Sequence, residues 1–218
     1  MAEPTSPPTG YRLLLPSDWV QIPLRKGDAE QAVREIVASA FARVPADVPR
    51  DRLTPLRLEL ERGLLAAVAD ARKAKALELY LPMRLSGEVN LGASIVVSEA
   101  LLPSRSGPSG APAPVSDPAE VAVQLISGGG GTDLDLSSGE VDGALAVRRE
   151  RVVPADPERG VELASRRVDY LVSVPSDTSR WFAAAFSTIG AGDPKDDLAN
   201  ALVEWFDALM TTFTWSWT

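Results

Sequence analysis

The sequence predicts an α+β fold: a single layered sandwich in which a mainly antiparallel sheet is flanked by helices. Three observations carry this. Short runs with period-two apolar spacing are joined by brief polar turns, as in hairpins. Apolar stripes at steps of three and four occupy separate stretches, as in helices laid on a sheet. One run, Trp181 to Phe186, is apolar on both faces and so predicts a central strand covered on both sides.

Taken in order, residues 1–10 are Pro-rich and polar and predict a disordered tail, with residues 11–218 forming one domain. Tyr11 to Leu15 and Trp19 to Leu24 read as two short strands with Pro16-Ser17-Asp18 as the turn between them. Asp28 caps a helix whose stripe is Ala29, Ala32, Val33, Ile36, Val37, Ala40 and Phe41. After a linker bounded by Pro45 and Pro49, a longer helix runs from about Asp51 to Ala74. Leu53, Leu56, Leu60, Leu64, Ala67 and Val68 share one face, and Pro55 is tolerated near the start.

Ala76 to Met83 and Ala93 to Leu101 predict a hairpin turned at Ser86-Gly87-Glu88. Residues 103–116, mostly Pro, Ser, Gly and Ala, predict a flexible loop. Asp117-Pro118 then starts a short helix with Val121, Val123, Leu125 and Ile126 apolar, and Gly128 to Gly131 breaks it. Leu134 and Leu136, alternating with aspartates, mark a short solvated edge strand. Gly143 to Val153 and Val161 to Ser173 form a further hairpin through Pro154-Ala155-Asp156-Pro157.

The organising stretch is Arg166 to Trp217, which holds most of the chain's Trp and Phe. Val168, Tyr170, Val172 and Val174 alternate as a strand, and Pro175 to Thr178 supply a turn. The next strand, Arg180 to Thr188, sends Trp181, Ala183 and Ala185 one way and Phe182, Ala184 and Phe186 the other; its alanines leave room for a close helix. That helix is predicted to start with Asp193 as N-cap and Pro194 at the first position. Leu198, Leu202, Trp205, Phe206, Leu209 and Phe213 are its stripe, read as core packing. Trp215 and Trp217 either pack back on the sheet or form an exposed patch for a partner, and they are the candidate interaction residues.

Composition bounds the chemistry. The chain of 218 residues has neither Cys nor His, which removes thiol and imidazole nucleophiles, His general bases, Ser-His-Asp triads and nearly all zinc and haem ligation. A net charge of −8 disfavours nonspecific binding to nucleic acid. The opening MAEPTSPPTG lacks the features of a secretory signal and no apolar run approaches a membrane span, so the expectation is a cytoplasmic protein with no membrane insertion.

No cofactor motif emerges. Gly128 to Thr132 suggests a phosphate loop, but no Lys follows the last Gly as a Walker loop needs, and the next charged residues, Asp133 and Asp135, would repel phosphate. Asp133, Asp135, Ser137, Gly139 and Glu140 suggest a calcium loop, but Ser138 and Ala144 occupy the positions that need Gly and Glu. Glu78, Glu99, Glu150, Glu162 and Asp169 all fall in predicted strands. With Arg148, Arg149, Arg166 and Arg167 nearby, they predict cross-strand ion pairs on an exposed face rather than acid–base catalysis.

VDYLVSVPSDTSRWFAAAFSTIG with EWFDAL and TFTW, the opening YRLLLPSDWVQIPL and the strand ELYLPM together resemble uncharacterised actinobacterial proteins often encoded near type VII (WXG100-type) secretion loci. The order of elements is similar to the Mog1/PsbP-like fold. The resemblance covers most of residues 11–217, rests on packing motifs, and implies no catalytic residues. The functions to weigh are, in order, a non-catalytic protein-interaction or accessory protein associated with type VII secretion, a module for a small apolar or cationic ligand, and a carboxylate-dependent hydrolase.

Overall fold

The computed structural model describes residues 6–25, 27–42, 44, 49–82, 92–101, 126, 130–159 and 161–217. Within them lie β1 (Gly10–Arg12), β2 (Trp19–Pro23), α1 (Ala29–Ala42), α2 (Arg50–Lys73), β3 (Ala76–Pro82), β4 (Ala93–Leu101), β5 (Thr132–Val141), β6 (Ala144–Val153), β7 (Ser165–Val174), β8 (Asp177–Thr188), α3 (Asp197–Met210) and β9 (Thr214–Ser216). Seven strands form one antiparallel sheet in the order β2-β3-β4-β8-β7-β6-β5. It is two sequential meanders, β2 to β4 and β5 to β8, joined where β4 pairs with β8 from Ala93↔Thr188 to Leu101↔Arg180. The protein is therefore α+β, an antiparallel sheet flanked by helices. The predicted turn at Ser86, the loop 103–116 and most of the helix after Asp117 lie outside the described residues.

Strand alternation sorts the core. Phe182, Ala184 and Phe186 of β8 join Ile95, Val97, Val168 and Val172 against Leu202, Val203, Phe206, Leu209 and Met210 of α3. Trp181 points to the opposite face and packs with Ile126, Val147 and Leu171. Farther along that second face, α1 and α2 cover β2 and β3 through Val33, Val37, Val68, Ile22 and Leu79. As its pattern implies, β8 is central and buried on both sides.

Three expectations are corrected. The first two strands do not pair with each other across Pro16-Ser17-Asp18. β1 is shorter than Tyr11–Leu15 and pairs with β9, Tyr11 opposite Trp215, while β2 pairs with β3. Period-two spacing predicts a strand but not its partner. The stripe on α2 docks only in part: Val68 is buried, whereas Leu56 and Leu60 are exposed. At 1.5 Å per residue α2 runs about 36 Å, beyond the short strands it covers. α3 begins at Asp197, with Asp196 rather than Asp193 as its N-cap. Asp193 instead accepts the Lys195 N–H at 2.9 Å in the turn before it.

Asp196 accepts the Ala199 N–H at 2.6 Å and the Ala191 N–H at 2.7 Å. These two bonds, the Ala199 one foremost, hold its pKa below the ordinary carboxylate value. A depressed carboxylate pKa stabilises the fold above the unfolded-state value, and the contribution is lost as pH falls through the folded-state value. Asp196→Ala is therefore expected to lower the melting temperature at neutral pH. The gap to wild type should narrow as acid takes the pH below about 4; melting curves across that range check it.

At the chain ends, the Thr9 N–H bonds the Ser216 carbonyl at 2.8 Å and the Trp217 indole N–H bonds the Ser6 carbonyl at 3.1 Å.

Candidate functional site

The densest polar cluster of the described residues lies where β5, β6 and β7 pass beneath the C-terminal half of α3. On β6, Ala144, Ala146, Arg148 and Glu150 turn toward α3, while Leu145, Val147, Arg149 and Arg151 turn away. Arg148 reaches up to the helix, its Nε donating to Asp207 Oδ1 at 2.9 Å and its Nη2 to Asp207 Oδ2 at 2.8 Å. Nη2 also donates to Glu150 Oε2 at 2.6 Å, and Nη1 to Asp135 Oδ2 on β5 at 3.0 Å. The Tyr170 hydroxyl of β7 donates to Asp207 Oδ1 at 2.9 Å, and Arg166 closes the set by donating to Glu150.

Burial works against the charge on Arg148, but the hydrogen bonds and charges of Asp207 and Glu150 outweigh it, and the guanidinium pKa is raised above its ordinary value. Burial, then the Asp207 charge, raises the Tyr170 phenol, which stays protonated and donating. The guanidinium thus ties two strands and a helix together through three carboxylates. Beside it opens a cleft of about 360 Å³, lined by Ser137, Glu140, Asp142, Arg148, Tyr170 and Asp207 among others.

On the other face of β6, Arg149 pairs with Asp133 at 2.6 Å and donates to the Ile126 carbonyl, while Asp169 is gripped by Arg151 and Arg167. A register shift between Asp133 and Asp135 splits the acidic segment after the glycines, so that Asp133 meets Arg149 on one face and Asp135 meets Arg148 on the other. Among the described residues no group of three or more Asp or Glu is placed to hold a metal ion.

The predicted cross-strand ion pairs are present for Glu150 with Arg166, for Asp169 with Arg151 and for Glu99 with Arg180, and Arg25, just beyond β2, also reaches Glu99. Glu150 and Asp169 are not on an exposed face: their side chains are only 8% and 14% exposed, Glu150 beneath α3 and Asp169 between Arg151 and Arg167. Glu162 precedes β7 and lies in no strand. Glu78 is held without an arginine, accepting from the hydroxyls of Tyr11 and Tyr80 and from the Gln21 amide at 2.6 Å. Burial foremost, with Glu78's proximity adding to it, raises both phenols.

The two candidate interaction residues part company. Trp215 is 9% exposed and meets Phe213 edge-on at 4.9 Å and Phe182 at 6.1 Å. Trp217 is 41% exposed. Neither borders the cleft. Asp207 and Tyr170 escaped sequence reasoning. Their signal is that each is a polar-tipped residue on an apolar face. Asp207 stands one helical turn from Val203 and Met210, and Tyr170 lies between Val168 and Val172.

No family model matches the chain, and no curated protein matches it. Solved structures that resemble it include the solution structure of cyanobacterial PsbP (CyanoP) from Synechocystis sp. PCC 6803, with 11% identity over 94% of this chain and 86% of that one and a TM-score of 0.44. Another is the crystal structure of LpqN, involved in cell envelope biogenesis of Mycobacterium tuberculosis, with 13% identity over 98% of this chain and 86% of that one and a TM-score of 0.46. Likeness at these scores says nothing about activity or partners. Among the described residues no helix is long and apolar enough to cross a membrane.

Proposed function

We propose that this protein acts by contact: a non-catalytic interaction or accessory protein whose partner is another protein. The supporting observation is the Arg148 cluster. Asp135, Glu150 and Asp207 all accept from one guanidinium, and the Tyr170 hydroxyl also donates to Asp207. Groups committed in this way hold layers together. A general base must instead be within reach of a substrate proton. The association with type VII secretion rests on the sequence resemblance alone.

Affinity capture with the full chain from a native lysate, followed by reconstitution with the purified candidate, tests the reading. A saturable one-to-one complex is expected. Failure of every captured protein to bind when purified would overturn it.

A second reading has its own support. The cleft beside Arg148 has a volume suited to a small ligand, and Glu140 and Asp142 in its lining would favour a cationic one. Thermal-shift measurements across a panel of small amines separate the two, since a ligand bound only by the folded state raises the melting temperature.

A further inference from the structure

The outermost strand next to this cleft is built as an open template. β5 ends the sheet and nine of its ten residues are exposed. It joins β6 through the two-residue turn Asp142-Gly143, whose φ angles of +48° and +72° are those of a type I′ hairpin. In such a hairpin the flanking pair, here Val141 and Ala144, exchanges both backbone hydrogen bonds. Alternation from that pair turns the N–H and C=O groups of Glu140, Ser138 and Leu136 away from β6. Among the described residues no strand pairs with this side.

A row of outward backbone groups is what an added strand uses. Charge selects the occupant. Asp133 and Asp135 on β5 are paired with Arg149 and Arg148, but Glu140 stands on the same strand and Asp142 follows it, in a chain of net charge −8. A second copy pairing edge to edge would set acidic strands against each other, which is destabilising. A strand carrying lysine or arginine at alternate positions would sit about 4.8 Å outside β5. Its basic side chains would lean over Glu140, on the face of the sheet that Leu145 shares.

We propose that β5 receives an extended basic segment of a partner protein as an eighth strand of the sheet. The proposal rests on the reading that the protein acts by contact, and supplies the surface and the chemistry of the partner.

The probe is a fluorescent peptide of β5's length with alternating lysine and valine, titrated into the full chain and followed by anisotropy. Saturable, salt-sensitive binding is expected. Ser138→Pro removes an outward N–H while sparing the bonds to β6, and should abolish binding. Glu140→Lys should weaken it about tenfold, or 1.4 kcal/mol. Should Ser138→Pro fail to fold, a peptide N-methylated at alternate residues makes the same test without touching the protein, and should not bind.

Equal binding of a glutamate–valine peptide, no saturable binding, or binding indifferent to both the proline and the N-methyl groups would overturn the proposal. So would a dimer that Ser138→Pro dissociates, which would assign the edge to a second copy. A reconstituted natural partner that still binds Ser138→Pro leaves the contact reading standing and sinks the assignment to β5; loss of both the partner and the peptide sinks both.

Discussion

Arg148→Ala is expected to destabilise the fold by about 3 kcal/mol, the lower end of the cost of breaking a buried ion pair from one side. The guanidinium's side chain is 15% exposed and holds Glu150, which is buried at 8%, and Asp207, which is half-buried at 34%. Removing it leaves like charges facing each other beneath α3, with the Tyr170 hydroxyl alone on Asp207. Arg166 remains on Glu150, which is why the lower end of the range applies. Arg148→Lys should recover only part of the loss, because one ammonium cannot reproduce the two-pronged grip on Asp207. Urea unfolding of the three proteins measures this; a loss under about 1 kcal/mol, the scale of an exposed pair, would show that the cluster is not what ties α3 to β6.

Phe206→Ala is the second large effect, expected at about 3–5 kcal/mol from lost burial plus the cavity left behind. Phe206 is fully buried, stacks on Phe186 at 5.0 Å and meets Tyr170 edge-on at 5.8 Å. It joins the apolar core to the polar cluster, since Tyr170 carries the hydroxyl that bonds Asp207. The unfolding midpoint should fall with little change in slope, the sign of a change in stability rather than in exposed surface. If Phe206→Leu behaves like Phe206→Ala, ring stacking rather than volume carries the contribution.

What the sequence made legible followed the range of the forces involved. β4 was predicted at its observed bounds, and β8 was read as central from its two apolar faces, because alternation and burial are local patterns. The stripe on α3 was legible for the same reason. Its start was not, because Asp193, Asp196 and Asp197 are all good caps on paper, and it is the Asp196 carboxylate that reaches the Ala199 and Ala191 N–H groups. The pairing of β1 with β9 was invisible because both strands have three residues and are separated by nearly the whole chain. In the candidate site, Arg148 and Glu150 were recognised as pairing residues. Asp207, which holds them to the helix, was concealed within an apolar stripe.

The meeting of the two meanders at β4 and β8 has a consequence for synthesis. Ile95 and Val97 leave the ribosome long before Phe186 and Ala184, the residues that will lie beside them. Until then β4 is a bare hydrophobic margin on a half-built sheet, the kind of surface that aggregates or engages chaperones. Closure of that seam, a pairing between distant parts of the chain, is the step expected to set the pace of folding.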